Sequence, residues 1–170
     1  MLRDKRRTSI FPSFKLDYET AVNDTLNLLA AGAEAPAFTA ETTDGATVSL
    51  QDFRGEQAVL LMFYPKDDTP GCTKQMCAAR DEAEVYRQAS IIRFGVNPGT
   101  LESHRRFVEK YGLDFPLIED ADKKIARAYG VLKENGGVAR ATYLINKQGQ
   151  IVFAEPGAHS AVKILEDLHG

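Results

Sequence analysis

The chain has 170 residues, 44% of them hydrophobic and 26% charged, a balance that fits one soluble domain with a substantial core. A formal net charge of −3 gives no basic footprint and argues against nucleic acid as the main partner. No apolar stretch approaches the length of a membrane span, and two cysteines are too few for a disulfide scaffold.

In chain order, Met1 to Arg7 is strongly basic, Thr8 to Lys15 follows no clear pattern, and Leu16 to Ala31 spaces Val22, Leu26 and Leu29 as an amphipathic helix would. Two readings of this lead stay open: a docked helix or partner-binding arm, and a mostly disordered segment. No uninterrupted apolar stretch follows the basic start, so a signal peptide is not expected. Asp4, Asp17, Glu19 and Asp24 disfavour an organelle transit peptide, and the expected location is cytoplasmic.

Alternating or apolar runs then predict strands over Ala37 to Glu41, Thr47 to Leu50, Ala58 to Tyr64, Ile91 to Val96, Ala141 to Ile145 and Ile151 to Ala154. Apolar positions three or four apart predict helices over Cys72 to Ala89, Thr100 to Tyr111, Lys123 to Tyr129 and Ala161 to Leu168. The last two strands, separated by Asn146 to Gly149, read as a hairpin. Strands and helices alternate, which places the chain in the α/β class.

Both cysteines fall in one segment. The apolar run ends at Pro65, Thr69-Pro70-Gly71 turns the chain, and a helical pattern starts at or next to Cys72. A cysteine there faces uncapped backbone N–H groups and the positive end of the helix dipole, both of which favour the thiolate. Thr69 is placed to donate a hydroxyl hydrogen bond to that sulfur or to a substrate oxygen, and Pro65 to wall the sulfur from bulk water. Cys77 lies five residues on. In a regular helix that step puts the two Cα atoms roughly 8 to 9 Å apart, whereas a disulfide needs them within about 7 Å. A Cys72–Cys77 bond therefore requires the helix to unwind, which suits a transient redox bond better than a structural staple. Gly71-Cys72-Thr73, of modest or poor helix propensity, makes the first turns separable from the rest.

The string Pro65-x-x-x-Thr69-x-x-Cys72 resembles the peroxidatic motif of the peroxiredoxins, and Cys77 matches the resolving cysteine of their bacterioferritin comigratory protein, or Q-type, branch. The likeness extends through Phe38-Thr39, Asp44-Gly45 and Val48-Ser49-Leu50, through Ser103-His104 and Phe107 to Tyr111, and through Phe115 to Val131 and Ala139 to Asn146. It covers roughly residues 32 to 170. The resemblance implies a thioredoxin-like fold, a central mixed sheet flanked by helices, preceded by an N-terminal extension over 1–31. It also implies a catalytic arginine just before a late strand, supplied by Arg140 in Arg140-Ala141-Thr142-Tyr143. Where many relatives have Ser and, two positions later, Asp, this chain has Asn97 and Gly99, and neither is expected to touch the chemistry.

The function implied is a peroxidase acting on hydrogen peroxide and organic hydroperoxides through a Cys72 sulfenic acid and a Cys72–Cys77 disulfide, recycled by thioredoxin or another dithiol. Relatives of this branch suggest a monomer, with the extension as a possible dimer interface. Two rivals stand beside it. A dithiol–disulfide exchange protein would carry Cys-x-x-Cys, which is absent, and a redox sensor would use the helix-to-loop change to alter a partner surface. No metal or cofactor is expected: His104, His159 and His169 are scattered, and neither a Walker motif nor a dinucleotide fingerprint occurs. Asp67-Asp68 and Glu119-Asp120 read as solvated loop pairs whose side chains point apart, and Arg105, Arg106, Glu109 and Lys110 as an exposed helix face.

Overall fold

The computed structural model describes residues 26–169. A hairpin of β1 (Thr39–Glu41) and β2 (Thr47–Ser49) leads into a short 3₁₀ helix, Leu50–Phe53. Next come β3 (Ala58–Phe63), α1 (Pro70–Asp81), α2 (Ala83–Gln88), β4 (Ile91–Asn97), α3 (Leu101–Tyr111), β5 (Leu117–Glu119) and α4 (Lys124–Ala128). Strands β6 (Ala141–Ile145) and β7 (Ile151–Pro156) and helix α5 (Ala161–His169) close the chain.

Five strands form one mixed sheet in the order β5-β4-β3-β6-β7. β3 runs parallel to β4 and antiparallel to β6, and the expected β6–β7 hairpin is present. The centre of the sheet falls on the most apolar run of the sequence, because a strand covered on both faces must be apolar at every position. Alternation along β3 divides the core in two. Val59, Leu61 and Phe63 point to one face, with Phe94, Val96, Tyr129 and Tyr143. Leu60 and Met62, followed by Tyr64, point to the other, with Cys72, Met76, Phe107, Leu117 and Ile164.

Three expectations are corrected. The single helix over Cys72 to Ala89 is two, divided at Glu82, whose φ of −93° and ψ of 15° depart from helical values. The Glu82 carboxylate accepts the Ala161 N–H at 2.9 Å, so the break faces the start of α5. β5 has no counterpart in the sequence reading: three residues beside a proline carry too little alternation to register, and the strand exists through its parallel pairing of Gly95 to Asn97 with Leu117 to Glu119. The helix expected over Leu16 to Ala31 lies outside the described residues up to 25, and Leu26 to Ala31 is not helical. That stretch instead bonds outward, Asn27 N–H to the Gly130 carbonyl at 3.1 Å and Leu29 N–H to the Tyr143 hydroxyl at 2.9 Å. Leu28 and Leu29 pack on the core, so tertiary contacts override the helical spacing.

No helix among the described residues is long and apolar enough to cross a membrane.

Candidate active site

The site stands at the carboxyl end of β3. Phe63, the last residue of that strand, pairs with Val96 on one side and Ala141 on the other. This register sets three distant stretches side by side: the loop from Pro65 to Thr69, the end of β4 at Asn97, and Arg140, one residue before β6.

α1 begins earlier than the sequence suggested. Thr69 is its N-cap and Pro70 occupies the first helical position, where a missing N–H costs nothing. Cys72 is thus the third helical residue. Thr69 makes no side-chain cap, which leaves the N–H groups of Gly71 and Cys72 uncapped at the positive end of the helix. Cys72 is 1% exposed, in the same apolar cluster as Met62, Tyr64 and Met76.

Arg140 Nη2 lies 3.4 Å from Cys72 Sγ, and Arg140 Nη1 donates to Gln75 Oε1 at 2.5 Å. Gly71 leaves the space for this approach, since a Cβ there would stand 3.0 Å from Arg140 Nη2. Gln75 was not singled out from sequence. Its only signal is the three-residue step from Cys72, which puts it on the same helix face. Its Nε2 is buried without a hydrogen-bond partner among the described residues. A cavity of about 580 Å³ adjoins this group, lined in part by Gly71, Lys74, Gln75, Arg140, Thr142 and Ser160.

The remaining sequence candidates fall around this centre. Cys77 is half-buried within α1, and both cysteines are free thiols. Thr69 is half-buried, but its hydroxyl donates to the Lys66 carbonyl at 3.0 Å rather than to Cys72. Pro65 is exposed at the start of the loop. Arg140 and Cys72 are therefore in direct contact, while Thr69 and Pro65 shape the loop beside them.

Two readings of neighbouring residues are corrected. Asp67 and Asp68 do point apart, but Asp67 is not solvated: its side chain is 8% exposed and accepts a hydrogen bond from Tyr64 at 2.6 Å. Asp120 of the Glu119-Asp120 pair is likewise buried, its carboxylate accepting the Ile125 and Ala126 N–H groups at 3.0 and 2.9 Å. Asn97 donates from Nδ2 to the Tyr64 carbonyl at 2.7 Å. Burial pushes the Tyr64 hydroxyl well above its ordinary range, and the charges of Asp67 and Cys72 add to the shift, so Tyr64 remains a donor.

Comparison with known proteins gives the family. The family model described as AhpC/TSA matches residues 31–154. A putative peroxiredoxin bcp of Coxiella burnetii is 39% identical over 132 residues, 74% of this chain and 87% of its own length. The chloroplastic peroxiredoxin Q of Triticum aestivum is 38% identical over 146 residues, covering 81% of this chain and 67% of its own. Among solved structures, peroxidoxin BcpB of Mycobacterium tuberculosis superposes with a TM-score of 0.76 at 27% identity, over 83% of this chain and 97% of that one. A Xanthomonas campestris bacterioferritin comigratory protein, whose structures address alkyl peroxide reduction, gives 0.72 at 29% identity over 82% and 96%. The thioredoxin-like fold expected from sequence is the fold these neighbours share. The chain belongs to the AhpC/TSA family, in its peroxiredoxin Q or bacterioferritin comigratory protein branch.

Proposed function

We propose that the chain is an atypical two-cysteine thiol peroxidase that reduces hydrogen peroxide and organic hydroperoxides in antioxidant defence. The observation that carries this reading is the approach of Arg140 Nη2 to within 3.4 Å of Cys72 Sγ at the start of α1. A fixed cation and uncapped backbone N–H groups beside the sulfur can hold a peroxide oxygen as charge develops on it. Cys72 thiolate attacks the terminal peroxide oxygen, an S–O bond forms as the O–O bond breaks, and the leaving oxygen departs as water or an alcohol after taking up a proton. Cys72 is left as a sulfenic acid.

Because Cys77 sits five residues on in a continuous helix, α1 unwinds before the Cys77 thiolate reaches the Cys72 sulfur and expels hydroxide, which leaves as water. The resulting disulfide is reduced by exchange with an external dithiol, for which thioredoxin is our assignment. Within this reading Thr69 and Pro65 shape the peroxide-binding loop. The working protein is a cytoplasmic monomer, with the N-terminal extension as a candidate dimer interface.

The test is stopped-flow reaction of the reduced protein with hydrogen peroxide, followed by mass spectrometry of wild type, Cys72→Ser and Cys77→Ser. Fast peroxide loss with a Cys72–Cys77 disulfide is expected in wild type, none in Cys72→Ser, and one turnover ending in sulfenic or sulfinic acid in Cys77→Ser. Wild-type reaction no faster than that of a free thiol overturns the reading.

A further inference from the structure

The loop that carries Pro65 and Thr69 is pinned to α3 by two consecutive aspartates facing opposite ways. Outward, Asp68 accepts from Lys110 Nζ at 2.8 Å and from the Tyr111 hydroxyl at 2.6 Å. Inward, Asp67 Oδ2 accepts from the Ser103 hydroxyl at 2.7 Å and lies 2.5 Å from His104 Nδ1, while Oδ1 takes the Tyr64 hydroxyl. Asp68 has a φ of +54°, a left-handed conformation uncommon outside glycine.

The inner half is closed on itself. His104 is fully buried, and its Nε2 lies 3.1 Å from the Asn97 carbonyl oxygen. Asn97 in turn holds the Tyr64 carbonyl through Nδ2 and accepts the Gly99 N–H at 2.7 Å through Oδ1. Gly99 is required for this closure, because a Cβ there would stand 2.9 Å from Asn97 Oδ1 and 3.2 Å from His104 Cε1. Tyr64 is thus gripped at both ends, hydroxyl by Asp67 and carbonyl by Asn97, immediately before Pro65. Burial works to raise the Asp67 carboxyl, but the hydrogen bonds from His104, Tyr64 and Ser103 outweigh it and hold the group below the ordinary carboxylate range. Asp67 is therefore an ionised acceptor at neutral pH.

The far end of α1 is anchored separately. Arg93 Nη1 donates to the Ala79 carbonyl at 2.7 Å, and Arg80 Nη1 to the Tyr111 carbonyl at 2.5 Å. Between the two anchors lie Pro70 to Ala78, the stretch that holds both cysteines.

We propose that Asp67 is a positioning residue for Cys72: bound by Ser103, His104 and Tyr64, it fixes the Pro65–Thr69 loop so that the peroxide site keeps its geometry while α1 alone opens. The proposal rests on the thiol-peroxidase reading above. It assigns the departures at Asn97 and Gly99 a part in that reading, because they close the clamp on Tyr64. A loop displaced by about 1 Å carries a large rate penalty for the peroxide step. Disulfide formation needs the opened helix rather than the intact site, so it does not share that penalty.

The experiment resolves the two steps by stopped-flow in wild type, Asp67→Asn and Asn97→Ser, with melting temperatures to establish folding. In Asp67→Asn the rate of peroxide attack is expected to fall about tenfold or more, while the rate of disulfide formation after it changes less than twofold. Asn97→Ser, which removes the Tyr64 carbonyl tether together with the Oδ1 acceptor for the Gly99 N–H, is expected to shift the first step in the same direction by about threefold. A merely structural role would lower the melting temperature and leave both rates within twofold of wild type, and that result overturns the proposal. If Asp67→Asn does not fold, Asn97→Ser decides, and an unchanged first step refutes the clamp. If wild type forms no Cys72 sulfenic acid, the peroxidase reading fails by itself. The clamp is then tested by iodoacetamide alkylation of Cys72, where a difference below twofold between wild type and variant overturns it.

Discussion

Arg140 divides its guanidinium between two residues of one helix turn: Nη2 lies 3.4 Å from Cys72 Sγ while Nη1 donates to Gln75 Oε1 at 2.5 Å. A planar fork does this and a single ammonium cannot. Arg140→Lys, though it keeps the charge, is expected to lower the rate of peroxide attack by about 100-fold, the scale of removing one oriented donor. Stopped-flow measurement under single-turnover conditions checks it, and a loss below threefold would show that charge alone suffices.

The same contact depends on the absence of a side chain at Gly71. Alanine there improves helix propensity, an effect worth up to about 1 kcal/mol in a helix interior, yet its Cβ would stand 3.0 Å from Arg140 Nη2. Gly71→Ala is therefore expected to leave the melting temperature level or higher and to slow peroxide attack about tenfold by pushing the guanidinium off the sulfur. Calorimetry and stopped-flow on one preparation separate the two effects.

How much of this was legible in the sequence differs by residue. Cys72, Cys77 and the strands β3, β4, β6 and β7 could be read directly, because a motif of fixed spacing and long apolar runs are local signals. Arg140 was legible only through the family likeness, since nothing local distinguishes it from a solvated charge. Gln75, Tyr64, Asp67, His104 and Asn97 were not assigned roles, because their partners are made by register: Phe63 beside Val96 brings Tyr64 to Asn97, 33 residues away in sequence. The helix break at Glu82 was hidden for the same reason, its carboxylate being engaged by Ala161, 79 residues further on.

Asp67 also makes the fold sensitive to acid. Its folded-state value is depressed, the hydrogen bonds from His104, Tyr64 and Ser103 prevailing over the opposing effect of burial. The stability it contributes is therefore fully present above the unfolded value of about 3.9 and is lost as pH falls below that through the lowered folded value. Asp67→Asn is expected to cost about 1 to 3 kcal/mol near neutral pH, by weakening the hydrogen bonds that Tyr64, Ser103 and His104 make to the carboxylate. It is also expected to flatten the decline in stability below about pH 4. Urea melts of both proteins from pH 7 to 2 measure this; parallel acid limbs would remove Asp67 as its source.

Opening α1 requires Met76 to leave the core. Met76 is fully buried between the two cysteines in sequence, and Gly95 on β4 leaves room for it, a Cβ there falling 3.2 Å from the Met76 sulfur and 2.5 Å from Leu117 Cδ2. Re-exposing a side chain of this size costs about 2 kcal/mol, a direct contribution to the barrier between sulfenic acid and disulfide. Met76→Ala is expected to destabilise the reduced protein by about 2 to 5 kcal/mol and to speed disulfide formation by about tenfold, with less sulfinic acid at high peroxide. Hydrogen exchange should then show amides 73 to 78 losing protection on oxidation of the wild type, and already partly unprotected in the reduced variant. The Tyr64 amide, which donates to the Val96 carbonyl, should stay protected in both. Disulfide formation across the five-residue helical separation of Cys72 and Cys77 calls for unwinding, and equal protection of α1 in the two redox states would overturn this account.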